Sequence, residues 1–484
     1  MKNNTQIKFG TDGWRAVIAD DFTFNNITRV AQATADYWKT KGPSEKNKLV
    51  IIGYDRRFLS KQFAITAAEV VAANGFKVIF SNEPTPTPAV SWTVKVNNAV
   101  GGIMITASHN PPKFNGFKIK AHFGGSADPN ICQQVENLVD ASPPQKADFN
   151  ECLKSGIIKI ANLKPDYFRA LRSMVDIKAI SNAGLFVVHD PLFGVGASCF
   201  NEIITNPTAT TTVLTINGNH DVNFGGINPE PVPQNYKISS QIVKKLNPDI
   251  CLVTDGDADR IGGMFGNGLP ITTHQIACLL LYHIAANRND LTNGCVKSFR
   301  AVKTITTTSL VDKLCSHFNI QLLETGVGFK YICSEMLKGN VLIGMEESGG
   351  IGFLNHIPER DGLLAGLMLL ELLAYSGKSV QHLIQKFEKQ FGPHRYGRID
   401  IEFPVSRRNC LTQLCTSRPP TSLLGSEIID IKSFDGVKFI AKNGSWLMLR
   451  GSGTEPVLRI YAEAPSQSAV NELLKLGQNL AAQI

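Results

Sequence analysis

At 484 residues, with 43% hydrophobic and 19% charged residues, the chain is too long for a single core and ordinary in composition for a globular protein. Single cores stop growing at roughly 250–300 residues, so several domains of about 100–150 residues each are expected. The net charge of +8 is modest and comes without a block of like charges, which argues against a nucleic-acid arm and leaves scattered basic residues for small anionic ligands.

The elements follow a rhythm. Leu49 to Gly53 reads as a strand, Ala64 to Asn74 as a helix stopped at Gly75, and Lys77 to Phe80 as the next strand. Pro84, Pro86 and Pro88 then break the chain before a strand from Gly102 to Thr106. Apolar runs alternating with helical patterns predict a mainly parallel sheet with helices on its faces. The rhythm returns with strands at Leu185–Val188 and Ile250–Val253, and again at Ala301–Ile305, Gln321–Leu323 and Val341–Ile343. Leu363 to Tyr375 is the longest apolar run and carries Glu371. It falls short of the roughly 20 apolar residues a bilayer span needs, so it is read as a buried amphipathic helix, with no membrane partner. Breaks fall near Ser142–Pro144 and at Gly392–Pro393. The last stretch differs: Glu427–Ile431, Val437–Ala441, Trp446–Leu449 and Val457–Ala462 form a strand-rich α+β module. Ten cysteines occur without a CxxC pair, and Met1 to Gln6 leads into no apolar segment of a secretory leader. Reduced thiols, mostly in the core, and a cytoplasmic protein are expected.

In α/β proteins ligands gather beyond the carboxyl ends of strands, and four polar loops follow predicted strands. The first contains Ser108, followed by His109, Asn110 and two prolines. It lacks the glycines of a nucleophile elbow, and His109 as a sequence neighbour does not establish a triad. Ser108 is either a turn residue or the carrier of a covalent group. The second loop runs Asp255-Gly256-Asp257-Ala258-Asp259-Arg260. Three crowded carboxylates repel unless a cation sits between them, and hard oxygen donors suit Mg²⁺. The spacing is not that of an EF-hand, whose sixth and twelfth positions hold Arg260 and Gly266 here; the other reading is a solvated acidic turn. The third loop is Glu346-Glu347-Ser348-Gly349-Gly350. Glu346 and Ser348 suit the hydroxyls of a sugar, and equally the N-terminus of a helix. In the fourth, Gly451 and Gly453 free backbone N–H groups for an anion, with Arg450, Ser452, Thr454 and the returning Arg459 as further donors; a glycine-rich turn is the alternative. Arg15, Lys118 and Lys330 are additional donors, and Lys118 in a basic pocket would serve as acid or base.

Taken in order, these loops resemble those of the α-D-phosphohexomutase superfamily, the phosphoglucomutases and phosphomannomutases. Phe9 to Arg15 looks like its opening motif, Thr106 to Pro111 its phosphoserine loop, Asp255 to Arg260 its metal loop, Glu346 to Gly350 its sugar loop, and Arg450 to Pro456 its phosphate loop. The resemblance implies three similar α/β domains, mixed sandwiches, and a smaller α+β domain around a central cleft. The bounds would be 1–150, 160–265, 266–390 and 395–484. It implies that phosphorylated Ser108 gives its phosphoryl group to a hexose phosphate, and that the resulting 1,6-bisphosphate turns and returns the other phosphate. Asp255, Asp257 and Asp259 would hold Mg²⁺ with the serine phosphate. Glu346 and Ser348 would hold the sugar, and Ser452, Gly453, Thr454 and Arg459 the distal phosphate. Lys330, Arg260 and Arg450 would add substrate contacts, with Arg15, Lys118 and His109 at the reacting centre.

Many members carry His where Gly350 stands and Asn where Gly453 stands. The phosphoglucosamine branch usually has Gln where Glu347 stands. The expected activity is therefore interconversion of glucose 1- and 6-phosphates, with mannose phosphates possible, glucose 1,6-bisphosphate as intermediate and activator, and a monomer or homodimer as the working form. Phosphoglucosamine mutase is the alternative within the class. A glycosyltransferase built on the aspartate loop is the alternative outside it, and would leave the Ser108 and Arg450 loops without roles.

Overall fold

The computed structural model describes residues 6–10, 13–43, 47–292, 294–451 and 456–483. The chain forms two compact units, one of residues 1–294 and 328–380, the other of residues 295–327 and 381–484.

In the first unit, β1 (Trp14–Val17), β2 (Asn47–Tyr54), β3 (Lys77–Ser81), β4 (Ala99–Ile105), β5 (Phe114–Ala121) and β6 (Ile158–Ala161) make a sheet of spatial order β1-β5-β4-β2-β3-β6. β2 runs parallel to β3 and β4, and β3 to β6, whereas β5 is antiparallel to both β4 and β1. The sheet is thus mixed rather than mainly parallel. The loop between β4 and β5 is far too short for a parallel crossover, so the chain leaving Ile105 folds straight back and sets Ile105 opposite Phe117. Helices Phe24–Thr40 and Ser60–Ala73 bury Val30, Trp38, Phe63 and Val70 against Val50, Ile52 and Ile103 of the sheet. Thr23 caps the first by accepting from Asn26 N, and Gly75, at φ +86°, ends the second.

The next sheet repeats the plan. β7 (Phe186–Asp190), β8 (Thr212–Thr215), β9 (Ile250–Thr254), β10 (Ile261–Met264) and β11 (Pro270–Ile271) lie in the order β11-β10-β9-β7-β8. β7 is parallel to β8 and β9, while β9 and β10 form a hairpin across the Asp255–Arg260 loop. β12 (Arg300–Thr304) and β13 (Gln321–Thr325) are a parallel pair of the second unit, and β14 (Val341–Met345) and β15 (Ile351–Phe353) a hairpin of the first. Helix Gly362–Ser376 is capped by Asp361 and buried at every residue from Gly362 to Leu373. It is apolar all round rather than amphipathic, the pattern of a core helix. Among the described residues no single helix is long and apolar enough to cross a membrane.

The second unit contains an antiparallel sheet of β16 (Arg395–Glu402), β17 (Ser422–Leu423), β18 (Ser426–Lys432), β19 (Val437–Ala441), β20 (Trp446–Gly451) and β21 (Val457–Ala464), in the order β16-β21-β20-β19-β18-β17. Helix Gln467–Ala481 lays Val470 and Leu473 on Leu447 and Ile460 of that sheet. All ten cysteines are free, and seven are buried, so they are core residues and not staples.

Candidate active site

Ser108 stands just past β4 with φ +51°, the left-handed region. For a non-glycine residue this conformation costs about 1–2 kcal/mol, and it persists where surroundings over-determine it. Here they do. Thr106 Oγ1 accepts from Ser108 N at 2.9 Å and itself donates to Asp55 Oδ2 at 2.6 Å. Buried Arg57 donates to the carbonyls of Ser108 (2.7 Å), Asn110 (2.6 Å), Pro111 (2.9 Å) and Phe114 (3.0 Å), clasping the loop from beneath. Arg15 reaches Asn110 Oδ1 at 2.7 Å. The hydroxyl so presented is wholly buried and donates to Asp255 Oδ2 at 2.7 Å, with His109 Nδ1 3.4 Å from it.

The hairpin β9–β10 puts Asp255, Asp257 and Asp259 on one spot. All three are buried, and one carboxylate oxygen of each lies within 4.8 Å of the others. Ala258 takes φ +60° in the turn between them. Lys118, buried on β5, donates to Asp257 Oδ2 at 3.0 Å and lies 3.4 Å from Asp259 Oδ2. The carboxylates are not equivalent. Burial, and then Asp257 and Asp259, push the Asp255 carboxyl well above the usual range. Burial also acts on Asp257, but Lys118 and the Thr87 hydroxyl outweigh it and hold that carboxyl below its ordinary value. Asp257 Oδ1 is buried without a hydrogen-bond partner. Crowded hard oxygens with one buried atom unsatisfied fit a divalent cation such as Mg²⁺.

On β14–β15, the backbone of Glu346 donates to Gly350 O at 3.0 Å and closes the third loop. Glu346 is buried, and its carboxyl is pushed up to about 7 by burial, offset in part by Arg360 and Arg260. Ser348 is half-buried beside it. Arg360 joins this loop to the aspartates, with 3.4 Å to Glu346 Oε2 and 2.7 Å to Asp259 Oδ2. A Cβ on Gly350 would lie 2.3 Å from Arg360 Cδ, so the glycine is what lets that side chain pass. Arg260 lies 3.6 Å from Glu230 Oε1, and His109 is 4.0 Å from the same atom. Burial together with Arg260, Arg15 and Lys118 lowers the His109 pKa well below its usual value, which leaves the imidazole neutral at neutral pH.

The structure therefore gathers Ser108, His109, Arg15, Lys118, the three aspartates, Arg260 and Glu346 into one cluster. Lys330, at the start of helix Phe329–Leu337, lies instead over the Tyr331 ring, 5.3 Å from its centroid. Arg450 and Arg459 belong to the second unit, where they are register partners on β20 and β21. Arg450 donates to Asp435 at 2.9 Å, and Arg459 is 3.6 Å from Asp400. Ser452, Gly453 and Thr454 lie outside the described residues.

Four domain signatures of phosphoglucomutase/phosphomannomutase, α/β/α domains I, II and III and the C-terminal domain, match residues 6–146, 165–268, 272–391 and 422–475. The chain belongs to the phosphoglucomutase/phosphomannomutase family. Members of this family are phosphotransferase-type mutases, so the chain is an enzyme of that kind, and the glycosyltransferase alternative falls away. A "Phosphoglucomutase/phosphomannomutase" of Thermococcus kodakarensis is 30% identical over 98% of both chains. A "Phosphoglucosamine/phosphogalactosamine mutase" of Sulfurisphaera tokodaii is 28% identical, over 96% of this chain and 97% of its own. A crystal structure from Thermus thermophilus, of a protein provisionally described as a phosphomannomutase, superposes with a TM-score of 0.84 at 34% identity over 99% of both chains.

Asp55, Arg57, Thr87, Glu230 and Arg360 also contact this cluster, and none of them lies in the four loops picked out above. The rule that found the other loops, polar residues after a buried strand, also applies to Asp55–Arg57 behind β2. Glu230 follows no strand, and Arg360 acts across a long span of chain, so neither carried such a signal.

Proposed function

We propose that this phosphohexomutase interconverts hexose 1-phosphate and hexose 6-phosphate through a phosphoserine at Ser108 and a 1,6-bisphosphate, with glucose phosphates preferred and mannose phosphates accepted. The observation that carries the reading is the buried Ser108 hydroxyl, 2.7 Å from Asp255 inside the aspartate cluster. No surface serine has reason to be held there in a left-handed conformation.

In the first half-reaction a free hydroxyl of the hexose monophosphate attacks the phosphorus on Ser108. The bond from phosphorus to Ser108 Oγ breaks and its electron pair stays on that oxygen. The proton of the attacking hydroxyl ends on Oγ, with neutral His109 and Lys118 within reach as relay and Arg15 balancing charge. Asp255, Asp257 and Asp259 would hold Mg²⁺ together with the serine phosphate, and the bound ion would supply charge neutralisation and polarisation of the transferring group. Glu346 and Ser348 accept from sugar hydroxyls, and Arg260 adds a contact beside them. The bisphosphate then turns end for end, and the reverse transfer restores phosphoserine.

Intact-protein mass spectrometry tests the carrier. Wild type should gain a phosphate-sized increment on incubation with glucose 1,6-bisphosphate and Ser108→Ala should not. Full mutase activity in that variant overturns the mechanism. A second substrate reading, glucosamine phosphate, draws on the Sulfurisphaera relative; Glu347 in place of the Gln usual in that branch favours glucose. Rates on glucose, mannose and glucosamine 1-phosphates measured side by side decide between them.

A further inference from the structure

β5 carries two buried lysines two residues apart, on the same face of the strand. Lys118 meets the aspartates. Lys120 donates instead to Glu359 Oε2 at 2.6 Å, and both side chains have no exposed surface. Ser126 Oγ donates to the same carboxylate oxygen at 2.6 Å. Lys120 and Ser126 fall within the segment matched by family domain I, and Glu359 within that matched by domain III. The backbones also meet here: a Cβ on Gly125 would stand 2.7 Å from the Pro358 carbonyl oxygen. Glu359 is followed by Arg360, which holds Asp259 and Glu346, and by Asp361, which accepts from Tyr167 at 2.8 Å. Glu359 also accepts from Arg360 N through its other oxygen, at 3.1 Å. The contact therefore reaches the sugar loop through one residue.

We propose that the Lys120–Glu359–Ser126 contact is a positioning device that fixes the sugar loop relative to the phosphoserine loop, and so decides whether a 1,6-bisphosphate returns its phosphate or escapes. This rests on the mutase reading above. None of the three residues touches the reacting atoms. Their effect is registration: between two transfers the intermediate is held only by the loops around it, and a displacement of about 1 Å slows transfer on the order of 100-fold. Slower return with an unchanged rate of departure diverts the intermediate into solution.

The test uses the full-length phosphorylated enzyme. Removing one partner alone strands a buried charge, so the main variant is Lys120→Met with Glu359→Leu, which replaces the pair by apolar side chains of similar volume. Gly125→Ala, which presses on the Pro358 carbonyl, is the second variant. Three quantities are read: thermal unfolding temperature, Mg²⁺ affinity by calorimetry, and the 1,6-bisphosphate released per glucose 6-phosphate formed. For the double variant we expect an unfolding temperature within a few degrees of wild type, an unchanged Mg²⁺ affinity, a kcat lower by roughly tenfold to 100-fold, and release per turnover raised about tenfold or more. Gly125→Ala should move release in the same direction. A folded double variant with wild-type kcat and wild-type release overturns the inference and leaves the mutase reading standing. Failure of wild type to transfer phosphate from Ser108 overturns both.

Discussion

Each unit buries a cluster of opposite charges, and the two clusters are finished to different degrees. In the second unit Glu463 accepts from Ser309 N (3.0 Å), the Ser309 hydroxyl, His394 Nδ1 (3.0 Å) and Trp446 Nε1 (3.2 Å). Burial opposes its ionisation, yet these donors hold the carboxyl below its ordinary range. Lys303 pairs with Asp312 and lies 3.7 Å from Glu324, while Lys438 donates to Ile305 O at 2.6 Å and stands over Trp446. Donors there converge on Glu463 Oε1 and both lysines meet acceptors, while Glu463 Oε2 is itself buried without a partner. In the first unit three like charges, Asp255, Asp257 and Asp259, crowd together instead, and one carboxyl is driven upward by burial and by its two neighbours. The first pattern is that of a structural network, the second that of a site completed by its ligands.

The contrast can be broken in graded steps. The largest effect is expected at the transferring atom: Ser108→Ala should lower kcat by about 10⁴-fold or more in a coupled glucose 6-phosphate assay. Next is the unsatisfied aspartate. Mg²⁺ at 100 times its Kd should stabilise wild type by about 2.7 kcal/mol. Asp257→Asn should abolish most of that upward shift in unfolding temperature and lower kcat about 10²–10³-fold; a wild-type Mg²⁺ response in this variant would mean that the aspartates are a structural network after all. Gly350→Ala comes third. It forces Arg360 aside at a cost of about 1–3 kcal/mol, which should appear as a loss of roughly tenfold or more in kcat/KM with phosphorylation of Ser108 intact.

The smallest effect sharpens the comparison from the structural side. Burial, and then Lys303, lower the Lys438 pKa from 10.5 to about 7. Below about pH 7 Lys438 is protonated in both folded and unfolded chains, and the fold bears the full cost of the buried charge. From there to about 10.5 the unfolded chain holds a proton that the folded chain has lost, so stability rises with pH. Urea unfolding should show that rise in wild type, on the order of 1 kcal/mol or more, and Lys438→Met should flatten it.

Much of this could be read in advance from the chain. Apolar runs such as Leu49–Ile52 and Ile250–Val253 are buried strands, and three of the polar loops behind such runs hold the residues now found together. What stayed hidden has definite causes. β5 reads Phe-Asn-Gly-Phe-Lys-Ile-Lys-Ala, an alternation that suggests lysines facing water, yet Lys118 and Lys120 are almost wholly buried because carboxylates from distant segments wait for them. The mixed first sheet was obscured by the same strand, since nothing in its composition reports direction. Arg57 and Arg360 act by reaching across the fold, and periodicity describes only neighbours along the chain. The mainly apolar helix Gly362–Ser376 was found, but its lack of a polar face became evident only once its neighbours on every side were known.

The conformation of Ser108 also bears on which amino acid could fill the proposed role of carrier. Its φ of +51° is open to serine but hostile to β-branched residues. Threonine offers the same hydroxyl and forms an equally serviceable phosphate ester, yet its second Cβ substituent would collide with the backbone in this conformation. The exchange of serine for threonine, ordinarily among the mildest in protein chemistry, is closed here by a single dihedral angle.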